Sequence, residues 1–185
     1  MIQFIRFLII VVFFITHSVL AVQCDAIFTD PTSQNLSPNG LTPPSDIGLP
    51  LGDINCTATS CSASNFIAGN YDFNTISINN ASSLNTNGKT TRIYVNSLIL
   101  DGANINATGD AEDLIIYVRG SLSISGQNNI NGIVYVAGAA AINDTSITGA
   151  LATGGGLILT GNSNVAYDAA VIAAADFDGM CANDQ

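Results

Sequence analysis

Three acids, Asp110, Glu112 and Asp113, form the densest carboxylate cluster in the chain. Paired carboxylates across a cleft are what glycoside hydrolysis needs. Catalytic carboxylates also need a shaped, partly dry pocket that splits their pKa values. No tryptophan occurs in the chain and few cations lie near this cluster, so a solvated loop is the expected setting. Arg92 and Arg119 could serve as the base of a lyase, or as surface partners for the acids. Asp101, Asn104, Asp110, Glu112 and Asp113 could together offer oxygen ligands to calcium. Their spacing fits neither an EF-hand nor a glycine-rich nonapeptide repeat.

The single histidine, His17, lies in the leader-like stretch 1–21. There, Arg6 precedes the apolar run Phe7 to Ile15, and Ser18-Val19-Leu20-Ala21 follows. That order reads as a secretory signal peptide cut after Ala21. The run is shorter than a membrane span requires. Gln23 before Cys24 is not a small residue, which argues against a lipid anchor. The mature chain then carries no histidine, which removes every catalytic triad with a His base and the commonest transition-metal ligand. Its three cations, Lys89, Arg92 and Arg119, face fourteen acids, a formal charge of −11. Such a surface repels phosphate backbones and offers nothing basic to anionic lipid, so neither nucleic acid nor membrane is an expected partner. No cofactor and no enzymatic activity are expected.

Cys24, Cys56, Cys61 and Cys181 make an even count in an exported chain and read as two disulfides. Three pairings are possible. Cys56 with Cys61 would close a short polar loop, leaving Cys24 to tie the start of the chain to Cys181. The C-x4-C spacing with two distant partners is not a zinc pattern.

Tyr94, Tyr117 and Tyr135 recur at one place in three successive units. Strand alternation puts their β-branched neighbours on the opposite face, so the rings are expected to point outward. An exposed aromatic stripe could stack on sugar rings; a core ladder is the alternative.

The elements that must position these residues are strands. All five prolines lie between Pro31 and Pro50, in an irregular segment. From Phe66 onward, short runs of Ile, Val, Leu, Tyr and Thr alternate with Asn, Gly, Asp and Ser. Ile78, Leu100, Ile124, Ile142 and Leu159 are anchors spaced 22, 24, 18 and 17 residues apart. The next apolar residue follows each anchor by 5 or 6 positions. One coil cannot bury its apolar face alone, but stacked coils bury a continuous column. The expectation is an all-β, right-handed parallel β-helix, a β-solenoid of about five coils. Residues 22–70 would form a Pro-rich segment and N-terminal cap, 71–168 the solenoid, and 169–185 a C-terminal cap with a short helix.

The phrases Arg92-Ile93-Tyr94-Val95-Asn96, Leu114 to Gly120 and Asn131 to Gly138 resemble the β-helical part of the MshQ-like family. Cys24-Asp25-Ala26-Ile27-Phe28 and the closing Phe177-Asp178-Gly179-Met180-Cys181 are similar too. Members of that family take part in biogenesis of the mannose-sensitive haemagglutinin type IV pilus of Gram-negative bacteria. The resemblance implies an exported structural or adhesive module at the periplasm, cell surface or outside the cell. Its partners would be pilus or cell-surface proteins, with glycan as a further candidate, and it implies no catalytic residues. Family members are much longer, with further β-rich domains after the solenoid. The competing expectation is a carbohydrate-binding or carbohydrate-cleaving β-helix.

Overall fold

The computed structural model describes residues 23–29, 41, 43, 47, 51–56, 68–79 and 82–181. The leader 1–21, most of the Pro-rich segment and Cys61 lie outside the described residues. The chain forms a parallel β-solenoid of about six turns. Its main sheet stacks β1 (Asp53–Cys56), β2 (Gly69–Asn79), β4 (Thr91–Asp101), β6 (Leu114–Val118), β8 (Asn128–Val136), β10 (Thr145–Thr153) and β12 (Asn164–Tyr167) in that order. The short strands β3 (Ser83–Leu84) and β5 (Asn104–Ile105) continue this sheet beside β8. A second sheet stacks β7 (Leu122–Ile124), β9 (Ala140–Asn143) and β11 (Leu157–Thr160). Pairing between the strands is parallel throughout both sheets.

The repeated anchors become the core. Ile78 pairs with Leu100, and Ile124 pairs with Ile142, which pairs with Leu159. The second apolar position also stacks: Leu84 on Ile105, Ile105 on Ile130, Ile130 on Ile147, and Ile147 on Val165. Except for Leu159 and the half-buried Val165 on the last coil, these columns belong to one buried cluster that runs up the inside of the solenoid. Fully burying each such side chain contributes about 1.5–3 kcal/mol.

The corners are built from asparagine. Asn128 is buried, and its Oδ1 accepts from Ala103 N at 2.9 Å. Its Nδ2 donates to Ser125 O, Gly126 O and Thr145 Oγ1 at 2.9 to 3.0 Å. Asn106 is buried in left-handed backbone, with φ 54°. It accepts from Thr86 Oγ1 at 2.9 Å and donates to Asp110 O and Asn131 O. Asparagine tolerates that backbone and satisfies the peptide groups that a corner leaves unpaired.

Two expectations need correction. The stack begins at Asp53, not near Tyr71: β1 pairs with β2 inside the segment expected to be a cap. Four residues suffice for a rung when the neighbouring strand supplies the apolar partners, here Ile54 on Ile76 and Cys56 on Ile78. Nor does the C-terminal segment close the end of the coil. Helix α2 (Ala169–Ala174) and the chain to Cys181 turn back along the flank of the main sheet. Among the described residues Leu159, which turns into the last coil, is 39% exposed.

Candidate functional site

The flank covered by the returning chain holds the tyrosines. Tyr94, Tyr117 and Tyr135 are in register on β4, β6 and β8. Their ring centroids are 6.1 and 5.1 Å apart along the ladder. Alternation does turn them out of the coil, as expected. They are nevertheless buried, which overturns the exposed sugar-stacking stripe. A strap covers them, made of α1 (Cys24–Ile27) with Phe28, Leu41, α2 and Phe177 to Cys181. Tyr117 Oη donates to Leu41 O at 3.1 Å, and Tyr94 Oη reaches Met180 Sδ at 3.8 Å. Phe28 stands edge-on to Tyr135 and packs on Phe177 at 5.6 Å. Ile115, Ile133 and Ala150 complete this second buried cluster. Three tyrosines with Ile115, Ile133 and Ala150 across a sheet face are too much apolar surface to leave in water.

Polar contacts and a covalent bond fix the strap. Cys24 is disulfide-bonded to Cys181, and Cys56 is disulfide-bonded too. Arg92 Nη2 meets Asp176 Oδ2 at 2.5 Å, and its Nε donates to Asp176 O at 2.7 Å. Asn70 Nδ2 donates to Asp178 Oδ2 at 2.8 Å. The Asp178 backbone N–H, donating to Asp176 Oδ1, and then the Arg92 guanidinium hold the Asp176 carboxyl below its usual range. Arg119 pairs with the buried Asp72 at 2.7 Å and donates to Asn96 Oδ1. Both arginines thus partner acids, but Asp176 and Asp72 and not the 110–113 cluster, and Arg92 is itself buried.

Burial raises the Tyr94 hydroxyl pKa to about 12, and raises those of Tyr117 and Tyr135 as well. Each of these three tyrosines therefore stays neutral in the folded chain at a pH where the unfolded chain, ionising at about pH 10, has already lost the proton. Stability held below that pH is lost as pH climbs towards the folded pKa. The melting temperature is expected to be flat with respect to these groups up to pH 9 and to fall steeply between about pH 10 and 12. Scanning calorimetry beside tyrosine absorbance at 295 nm checks this, since ionisation and unfolding must then coincide.

Glu112 and Asp113 lie in a single 3-10 turn, Ala111–Asp113, that Asp110 precedes. Burial, then the charges of Asp110 and Glu112, raise the Asp113 pKa. Ala111 settles against Gly149, where a φ of 122° and an approaching carbonyl of Gly132 leave no room for a side chain. Asp101 sits elsewhere, at a corner where its carboxylate occupies the space a side chain on Gly126 would need. Among the described residues no three acidic, cysteine or histidine side chains converge on a metal position, so the calcium set is not assembled.

Sequence reasoning passed over a different surface. Asn104, Asn129, Ser146 and Asn164 stack in one outward column, since each pairs with the next across β5, β8, β10 and β12. Asn131 and Thr148 pair in the adjacent column. A hollow of about 350 Å³ lies over Asn104, Asn129, Asn131, Ser146 and Thr148, with Ile105 and Ile130 beneath. A second, of about 310 Å³, shares Asn129 and Ser146 and extends to Gln127, Asp144 and Asn162. The trace in the sequence was an Asn or Ser beside each short-strand apolar residue, read there as turn chemistry.

A family model described as a domain of unknown function (DUF8470) matches residues 43–162. No curated protein and no solved structure matches the chain. Among the described residues no helix is long and apolar enough to cross a membrane.

Proposed function

The chain belongs to the DUF8470 family, and on that premise we propose that it is an exported, non-catalytic structural and adhesive β-solenoid module of the cell surface. Its role is in biogenesis of a type IV pilus of the MSHA kind. The observation that carries this reading is the strap. Cys24 and Cys181 are joined across an aromatic flank that is otherwise fully packed. A disulfide of this kind persists in an oxidising compartment, which supports export. The arginines that could have acted as bases are held by Asp176 and Asp72. The acids of the 110–113 region lie at a 3-10 turn, whereas the tyrosines are buried under the strap. The resemblance of the repeated Tyr-Val phrases and the Phe177–Cys181 ending to the MshQ-like family supports the pilus assignment.

Export and partner are tested together. An epitope-tagged chain expressed in its own host is expected in the periplasmic or surface fraction and to co-purify with pilus proteins after crosslinking. Recovery from the cytoplasm, or from the surface with no pilus component, overturns the corresponding half of the proposal.

A further inference from the structure

The paired hollows on the β5–β8–β10–β12 face form one trench, and we infer that it is a binding site for a neutral oligosaccharide. This site is on a different surface from the strap and does not rest on the pilus assignment.

Its position follows from strand alternation. Ile105, Ile130, Ile147 and Val165 turn into the coil, so their neighbours turn out. The same rule on every rung stacks Asn104, Asn129, Ser146 and Asn164 at about 4.8 Å, the spacing between paired strands. One wall is the loop after β5. Asn106 pins it by donating to Asp110 O, and Asn131 Nδ2 pins it by donating to Gly109 O at 2.6 Å. The wall therefore needs no ligand to hold its shape. The volume, about 350 Å³ on one side and 310 Å³ on the other, is that of a small-ligand site.

The lining chemistry selects the ligand. Asn129 Nδ2 donates to Asn104 Oδ1 at 3.1 Å. That leaves the Asn129 carbonyl and the Asn104 amine directed along the column, with the Ser146 and Thr148 hydroxyls beside them. Between them the two amides offer a donor and an acceptor side by side, which suits adjacent hydroxyls of a sugar ring. No cation lines the trench, so it has nothing to hold an anion. Its one carboxylate, Asp144, already accepts from Asn143 Nδ2 and Asn162 N, and its charge repels anionic ligands. A peptide adding as a strand would need an open backbone edge. β8 and β10 are paired on both sides, so they offer none. Amides and hydroxyls in two adjoining outward columns match a polyhydroxylated chain lying across successive coils.

The test uses the disulfide-bonded wild-type chain and a panel of neutral linear oligosaccharides of glucose, galactose, mannose and N-acetylglucosamine. Sialylated oligosaccharides form the anionic arm. Calorimetric titration is expected to find at least one neutral oligomer binding with a sub-millimolar Kd, and the sialylated ones binding about tenfold more weakly. The double variant Asn129→Ala, Ser146→Ala is expected to lose about tenfold or more in affinity. Its melting temperature should stay within about 2 °C of wild type, because both positions are on the surface. Thr148→Arg, which fills the trench, should abolish binding, and Glu112→Gln should leave it unchanged. Absence of binding by every neutral oligosaccharide overturns the inference. So does binding that the double variant and Thr148→Arg leave intact, or that favours the sialylated ligands.

Discussion

The doubly substituted chain Cys24→Ser, Cys181→Ser is expected to melt on the order of 10–20 °C below the wild type. The bond joins residues 157 positions apart, so in the unfolded state it closes most of the 185-residue chain. In the loop-entropy account, removing so long a closure costs about 5 kcal/mol. The native state keeps its other strap contacts, because Arg92 and Asn70 still hold Asp176 and Asp178. The loss is therefore expected as one cooperative transition at lower temperature, and reductant should reproduce it in the wild type. Calorimetry with and without reductant measures it. A fall under about 5 °C, with the tyrosines already titrating near pH 10 at 25 °C, would mean that the strap peels away by itself. The disulfide would then guard only the aromatic flank.

Asn128→Leu is the second large effect. The leucine is close in size to the residue it replaces, but it answers none of its hydrogen bonds. Ala103 N loses its acceptor, and Ser125 O and Gly126 O lose a donor at a corner that is buried. Buried groups left unpaired cost about 1–3 kcal/mol each, and some of that is recovered by relaxation. About 3 kcal/mol, or a melting point lower by about 6–12 °C, is expected. Asn129→Ala, one residue on and exposed, is the internal control and should shift it by only about 2 °C. Equal shifts for the two variants would show that the corner is open to water and that its asparagine is not a structural rung.

The contrast between Asn128 and Asn129 shows where the sequence is informative. Both are the same residue type in the same polar punctuation. The anchors Ile78, Leu100, Ile124, Ile142 and Leu159 announce the coil, because a column of apolar side chains needs one at each rung. The step of 5 or 6 to the next apolar residue locates the short strands. Alternation from Ile130 turns Asn129 out and Asn128 in, but neither spacing says that the inward asparagine holds a corner or that the outward one lines a trench. That is decided by the register of the rung above and below. The start of the stack was hidden for a related reason. β1 is only Asp53-Ile54-Asn55-Cys56, with no repeated phrase of its own, and it becomes a rung because Ile76 and Ile78 are already in place to meet it.

The sequence by itself determined the solenoid, its acidic composition, and the outward turn of Tyr94, Tyr117 and Tyr135. Those are local consequences of strand period and residue type. Only the tertiary structure decided that the outward face is not a surface. Leu41 reaches Tyr117 across 76 residues, and Met180 reaches Tyr94 across 86. No period in the chain encodes contacts of that range. They form because an aromatic ladder must be covered, and because Cys24 and Cys181 hold the two ends of the chain where they can cover it.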